Sequence, residues 1–64
     1  MARPSNIKRE DILDVARPMF IEKGIAATEM TDIARKCGIG RSSLYRYFDS
    51  KESLALALAE EMLY

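Results

Sequence analysis

Between Arg41 and Lys51 the chain concentrates side chains that donate hydrogen bonds to oxygen: Arg41, Ser42, Ser43, Tyr45, Arg46, Tyr47 and Lys51. Guanidinium and ammonium groups are the usual partners of phosphate, and a guanidinium also matches the acceptor edge of guanine in bidentate fashion. Serine and tyrosine hydroxyls add neutral donors to phosphate oxygens. Leu44 and Phe48, four apart, interrupt this run where a helix would turn inward. If both are buried, the outward residues are Arg41, Ser42, Ser43 and Arg46, with Tyr45 and Tyr47 in part. A purely structural helix more often mixes glutamate and lysine on such a face. The pattern suits a helix laid in the major groove of duplex DNA.

Four helices and no strand would position these groups. Ile12, Ala16, Met19 and Phe20 recur at helical spacing, with Leu13 and Val15 widening the stripe, so about 7–23 reads as the first helix. Asn6 or Ser5 is its expected cap, and Gly24 stands where a left-handed C-terminal residue is wanted. Pro18 contradicts the pattern, because it removes an amide and its ring crowds the carbonyl of Asp14, so a bend is expected. Thr28 is the expected N-cap of a second helix over about 29–37, with Met30, Ile33, Ala34 and Cys37 inward. Gly38 stops that helix by taking a positive φ, and Ile39 in the turn plugs the core. A third helix opens at Gly40 or Arg41 and runs to about Phe48. Asp49, with Glu52 three residues on, or equally Ser50, caps a fourth.

The bulk numbers bound the rest. Sixty-four residues, 48% hydrophobic and 31% charged, make one small globular domain with a single modest core. With one cysteine, Cys37, and no histidine, neither an internal disulfide nor Ser–His or Cys–His nucleophilic chemistry is possible. Cys37 reads as core. No metal-ligand spacing, membrane span or signal peptide is visible, so no enzyme activity, cofactor, metal or membrane partner is expected, and the setting is cytoplasmic.

Net charge is zero and the pI about 6.2, which at first sight disfavours nucleic acid. The charges are segregated, however. Residues 1–9 carry +3 (Arg3, Lys8, Arg9), 10–34 carry −4, 35–51 carry +4 and the remainder −3. A chain divided in this way can present a basic face while its total is neutral.

The fourth helix is apolar around much of its circumference, with Leu54, Leu58 and Met62 on one stripe and Leu56, Ala59 and Leu63 on another. Such a helix packs on more than one neighbour. A membrane-surface role is disfavoured by its acidic polar residues Glu52, Glu60 and Glu61.

Thr28-x5-Ala34, Gly38-Ile-Gly-Arg-Ser-Ser-Leu-Tyr-Arg-Tyr-Phe48 and Ser50-Lys-Glu-Ser-Leu54 resemble the N-terminal DNA-binding domain of TetR-family transcriptional repressors. So does the first helix from Ile12-Leu13 through Phe20 to Glu22-Lys23-Gly24, and the similarity spans about 8–58. The resemblance implies DNA-binding roles for Thr28, Thr31, Arg41, Ser42, Ser43, Tyr45, Arg46, Tyr47 and Lys51. Arg41, Ser42 and Ser43 would open the recognition helix towards base edges. Tyr45 and Tyr47 match positions whose hydroxyls usually hold phosphate, and Arg46 falls where the family reads or brackets the DNA. Lys51 matches a lysine that meets the backbone. Thr28 and Thr31 lie where phosphate or edge contacts are made. Three positions depart from the family pattern: Gly40 replaces a serine-like cap, Glu29 a small hydroxyl near phosphate, and Pro18 is unusual in the first helix. Each functional role has a plainer reading beside it: packing for the tyrosines, a solvated turn for Lys51, an exposed helix threonine for Thr31.

The expectation is an all-α, three-helix helix-turn-helix bundle of homeodomain-like form, followed by the start of a fourth, connecting helix. Residues 1–6 form a flexible arm, 7–49 the helix-turn-helix domain, and 50–64 helix four, the start of a C-terminal region beyond this chain. The expected function is sequence-specific binding of double-stranded DNA as part of a TetR-like repressor. The intact protein would read a palindromic operator as a homodimer assembled through that C-terminal region. The alternative is a small helical interaction module pairing through its apolar last helix.

Overall fold

The computed structural model describes residues 7–63, which form four helices and, among the described residues, no strand: α1 (Arg9–Lys23), α2 (Met30–Cys37), α3 (Arg41–Tyr47) and α4 (Lys51–Glu61). The expected all-α order is what forms. One core holds them together. Ile12, Leu13, Ala16 and Met19 of α1 meet Met30, Ile33, Ala34 and Cys37 of α2, with Leu44 and Phe48 from the third element and Leu54, Ala57 and Leu58 from α4. α2 packs on both α1 and α3, and α4 packs on α1. Each fully buried aliphatic side chain contributes about 1.5–3 kcal/mol relative to exposure. That burial, rather than local propensity, holds the seven-residue α3, since isolated helices shorter than ~12 residues are marginal in water.

The α2–α3 turn follows the sequence closely. Gly38 sits at φ 76°, ψ 28°, its N–H bonding to the Arg35 carbonyl and that of Ile39 to the Ala34 carbonyl. This pair of reversed bonds satisfies the last carbonyls of α2 and turns the chain. Ile39 then packs on the core, as its place in the turn suggested.

The ends of α1 differ from expectation, while the cap of α4 and the passage of α1 through Pro18 fall within it. α1 begins at Arg9, two residues late, and its first turn is capped by the Asp11 carboxylate, which accepts from the Lys8 N–H at 2.9 Å. Asn6 and Ser5, the expected caps, lie outside the described residues. Gly24 has φ 86° and ψ 160°, an extended conformation open essentially to glycine alone rather than the left-handed helical one. α4 is capped by Ser50, whose hydroxyl accepts from the Ser53 N–H at 3.1 Å, and Ser53, not Glu52, returns the bond to the Ser50 N–H. α1 continues through Pro18, which is exposed, so the Asp14 carbonyl that lost its amide partner can be served by solvent.

Thr28 is the largest correction. It does not cap α2, whose N-cap residue is Glu29. Its side chain is fully buried, and its hydroxyl donates to the Gly24 carbonyl at 2.7 Å, with the Met19 carbonyl further off at 3.4 Å. A single hydroxyl proton thus closes the α1–α2 turn over the core. A threonine sealed in this way is unavailable to a nucleic acid, and it leaves the set of candidate DNA contacts.

Two substitutions test these joints. Thr28→Val keeps the shape but strands the Gly24 carbonyl, and should cost about 1–3 kcal/mol in urea unfolding. Gly24→Ala places a Cβ in open space, with no atom within 4 Å, so its cost isolates backbone strain. We expect about 1–3 kcal/mol there too, read as a lowered midpoint with an unchanged denaturant slope.

Candidate nucleic-acid interface

The outer side of α3 is built by the burial of its inner side. Leu44 is fully buried and Phe48 nearly so. In a helix these two, four residues apart, fix the rotation about its axis. Arg41, Ser42, Tyr45, Arg46 and Tyr47 are consequently exposed and Ser43 half-buried. Tyr45 is 41% and Tyr47 39% exposed, so each is partly covered by the domain and partly open to solvent.

Two shallow grooves flank α3. The first, about 350 Å³, brings together Thr31 of α2, Arg41 and Tyr45 of α3 and Lys51 of α4, four residues proposed on sequence grounds. Glu29, Asp49 and Glu52 also line it, and their carboxylates narrow the set of positions acceptable to an anion. The second, about 230 Å³, lies on the opposite flank between Ile7, Ile39, Ser43, Arg46 and Tyr47. Ser42 is exposed on α3 and lines neither groove. Eight of the nine candidates therefore surround α3, and Thr28 alone is separated from them by burial.

The electrostatics favour an external anion. Among the described residues, the ion pairs join Arg17 to Asp14 and to Glu61, and Arg35 to Asp32. No carboxylate there forms an ion pair with Arg41, Arg46 or Lys51. The Lys51 ammonium lies 3.4 Å from the Ala26 carbonyl, which anchors it towards the α1–α2 turn and leaves further N–H bonds to give. Arg17, by contrast, is engaged at the far side, where Glu61 first and Asp14 second hold its guanidinium above its ordinary pKa.

Two contacts of the neighbouring α1 start were not foreseen. The Tyr47 hydroxyl donates to the Ile7 carbonyl at 2.8 Å, and the Arg9 guanidinium lies 5.0 Å from the centroid of the Phe48 ring. Exposed Lys8 sits between them in sequence. The only signal for this region was the local surplus of positive charge over residues 1–9.

Away from α3, Arg17, Phe20, Ile21, Ile25, Leu58 and Met62 line a largely apolar cleft of about 410 Å³. Met62 and Leu63 are more than four-fifths exposed, and Leu56 61%, so the surplus apolar surface expected of α4 does remain uncovered. No helix is long and apolar enough to cross a membrane, and no group of metal-ligating side chains is assembled among the described residues.

Comparison with known proteins agrees with this geometry. The model of the family described as bacterial regulatory proteins, tetR family, matches residues 12–58. The HTH-type transcriptional repressor KstR2 of Rhodococcus jostii is 49% identical over 47 residues, covering 73% of this chain and 23% of that protein. The HTH-type transcriptional regulator YerO of Bacillus subtilis is 42% identical over 55 residues, 86% of this chain and 19% of its own length. A second regulator from that organism, YvdT, is 36% identical over 63 residues, 98% of this chain and 32% of its own. The chain thus spans about a fifth to a third of the curated relatives it matches. No solved structure matches it. With α2, the Gly38 turn and α3 falling inside the matched span, the chain belongs to the TetR family of bacterial regulatory proteins and carries that family's N-terminal helix-turn-helix.

Proposed function

We propose that this domain binds double-stranded DNA sequence-specifically, with α3 in the major groove, as the DNA-reading part of a transcriptional repressor acting in the cytoplasm. One observation carries the reading: Leu44 is sealed in the core while Arg41 and Arg46 stand exposed on the same short helix with no carboxylate partner among the described residues. Arg41, at the start of α3, is the candidate for bidentate contact with guanine, and Ser42 and Ser43 for neighbouring base edges. Thr31, Tyr45 and Lys51 line one groove and would follow the phosphate backbone on that flank. Arg46 would bracket the other. In the intact protein, two copies would read a palindromic operator, held as a homodimer by residues beyond this chain. Catalysis and cofactor binding have no part in this reading.

An interaction module would use the apolar end of α4, which lies apart from α3 and leaves the cationic face unexplained. The two uses do not compete for the same surface.

A single domain with four or five phosphate contacts should lose affinity steeply with salt. Each contact contributes ~0.9 to the slope, so log affinity falls by about four units per decade of salt. Fluorescence anisotropy with a labelled duplex reads this directly, and a flat response would remove the reading. Arg41→Ala should cost about 1–3 kcal/mol on a sequence selected from a random duplex pool and relax preference at one base pair. Its effect on a non-selected duplex should be smaller. Equal loss on both duplexes would assign Arg41 to the backbone instead.

A further inference from the structure

Tyr47 holds a bond that a simple phosphate-contacting role does not explain. Its hydroxyl donates to the main-chain carbonyl of Ile7 at 2.8 Å, joining residues 40 positions apart. A phenol has one hydrogen to give. With that hydrogen spent within the protein, none remains for a phosphate oxygen, and an ionised phosphodiester offers none in return. Beside this bond the Arg9 guanidinium lies over the Phe48 ring, so the start of α1 is fastened to the end of α3 at two neighbouring points. Ile7 also shares a groove with Ser43 and Arg46 of the outer side of α3. Lys8 and Arg9 are exposed, and among the described residues neither is paired with a carboxylate side chain.

We propose that Tyr47 is a positioning residue and not a phosphate ligand: by holding the Ile7 carbonyl it seats Lys8 and Arg9 beside α3, where their charges meet the DNA backbone next to the base pairs that α3 reads. This rests on the DNA-binding role proposed above. Its physical content lies in the salt dependence. A tyrosine that itself bonded phosphate would be a neutral donor, and its loss would weaken binding without changing the number of counterions released. A tyrosine that aims two cations changes that number when its hydroxyl is removed, although no charge has been deleted.

The test uses the 64-residue domain and a labelled 20-base-pair duplex of random sequence, with anisotropy titrations at several salt concentrations. Tyr47→Phe keeps the ring and removes the bond. It should lower the salt slope by about one to two, at ~0.9 for each phosphate no longer neutralised. Lys8→Ala with Arg9→Ala should lower it by a similar amount, and adding Tyr47→Phe to that pair should lower it no further. Weakened binding at an unchanged slope, or additive losses in the triple variant, would overturn the proposal. If Tyr47→Phe loses its helical circular dichroism, the wild type still decides. The Cζ resonance of Tyr47 should stay in place on duplex addition while the Lys8 and Arg9 side-chain resonances move, and the reverse pattern overturns the idea. A wild-type domain with no salt-dependent binding would sink the DNA reading and this one together. A wild-type slope near four that Tyr47→Phe shares would sink this one alone.

Discussion

The burial of Leu44 is the constraint on which the rest depends. α3 has seven residues, too few to hold a helix by its own hydrogen bonds, so its existence and its rotation both come from what its inner side touches. With Leu44 and Phe48 in the core, the remaining positions have no choice of direction. The polar face is therefore a by-product of apolar packing, and its accuracy can be no better than that of the core beneath it. Gly38 supplies the other half of the constraint: its left-handed backbone sets the angle at which α3 leaves α2. The small Ala34, buried in α2, lets the two helices approach closely.

Much of this could be read from the residues because it depends on local rules. Apolar spacing marked the inner faces of the first three helices, and Gly38 marked its own turn; for α4 it offered two stripes, of which Leu54 and Leu58 are buried and Met62 is not. The misreadings fall on polar side chains and on one glycine, whose local partners or backbone angles hydrophobic spacing does not record. Thr28 fits an N-cap pattern, yet it is buried against carbonyls nine and four residues earlier, which no local pattern records. The cap of α1 came from Asp11 rather than from the residues ahead of it, whereas α4 took Ser50, one of its two expected caps, with Ser53 as its reciprocal partner. Gly24 was rightly placed as a turn glycine but takes an extended, positive-φ conformation, because the chain leaves α1 towards a three-residue turn instead of reversing at once. The candidate interface was readable for the same reason as the core: once the inward residues of α3 are known, the outward ones follow. The bond between Tyr47 and Ile7 spans 40 positions and had no such signal.

α4 belongs to the bundle on one side and to something else on the other. Leu54, Ala57 and Leu58 pack into the core, and Glu61 reaches Arg17 on α1, so the helix is fastened to α1 along its length by apolar contact and at its end by charge. Exposed ion pairs of this kind contribute little to stability, typically ~0–1 kcal/mol. The pair is better regarded as a marker of register between α1 and α4 than as a source of cohesion.

The segregation of charge around α3 has a last consequence for how the domain would meet a polyanion. Its cations Arg41, Arg46 and Lys51 lie on or beside α3, with Glu29, Asp49 and Glu52 lining the groove that Arg41 and Lys51 share and Glu60 lining the one that holds Arg9, and the total is zero. A body without net charge feels little pull from a distance, but an uneven distribution of charge feels torque. Within about 8 Å of a duplex at physiological ionic strength, where screening is incomplete, such a torque would act before any specific bond had formed. Orientation would precede attraction, and encounters in the wrong attitude would be short-lived.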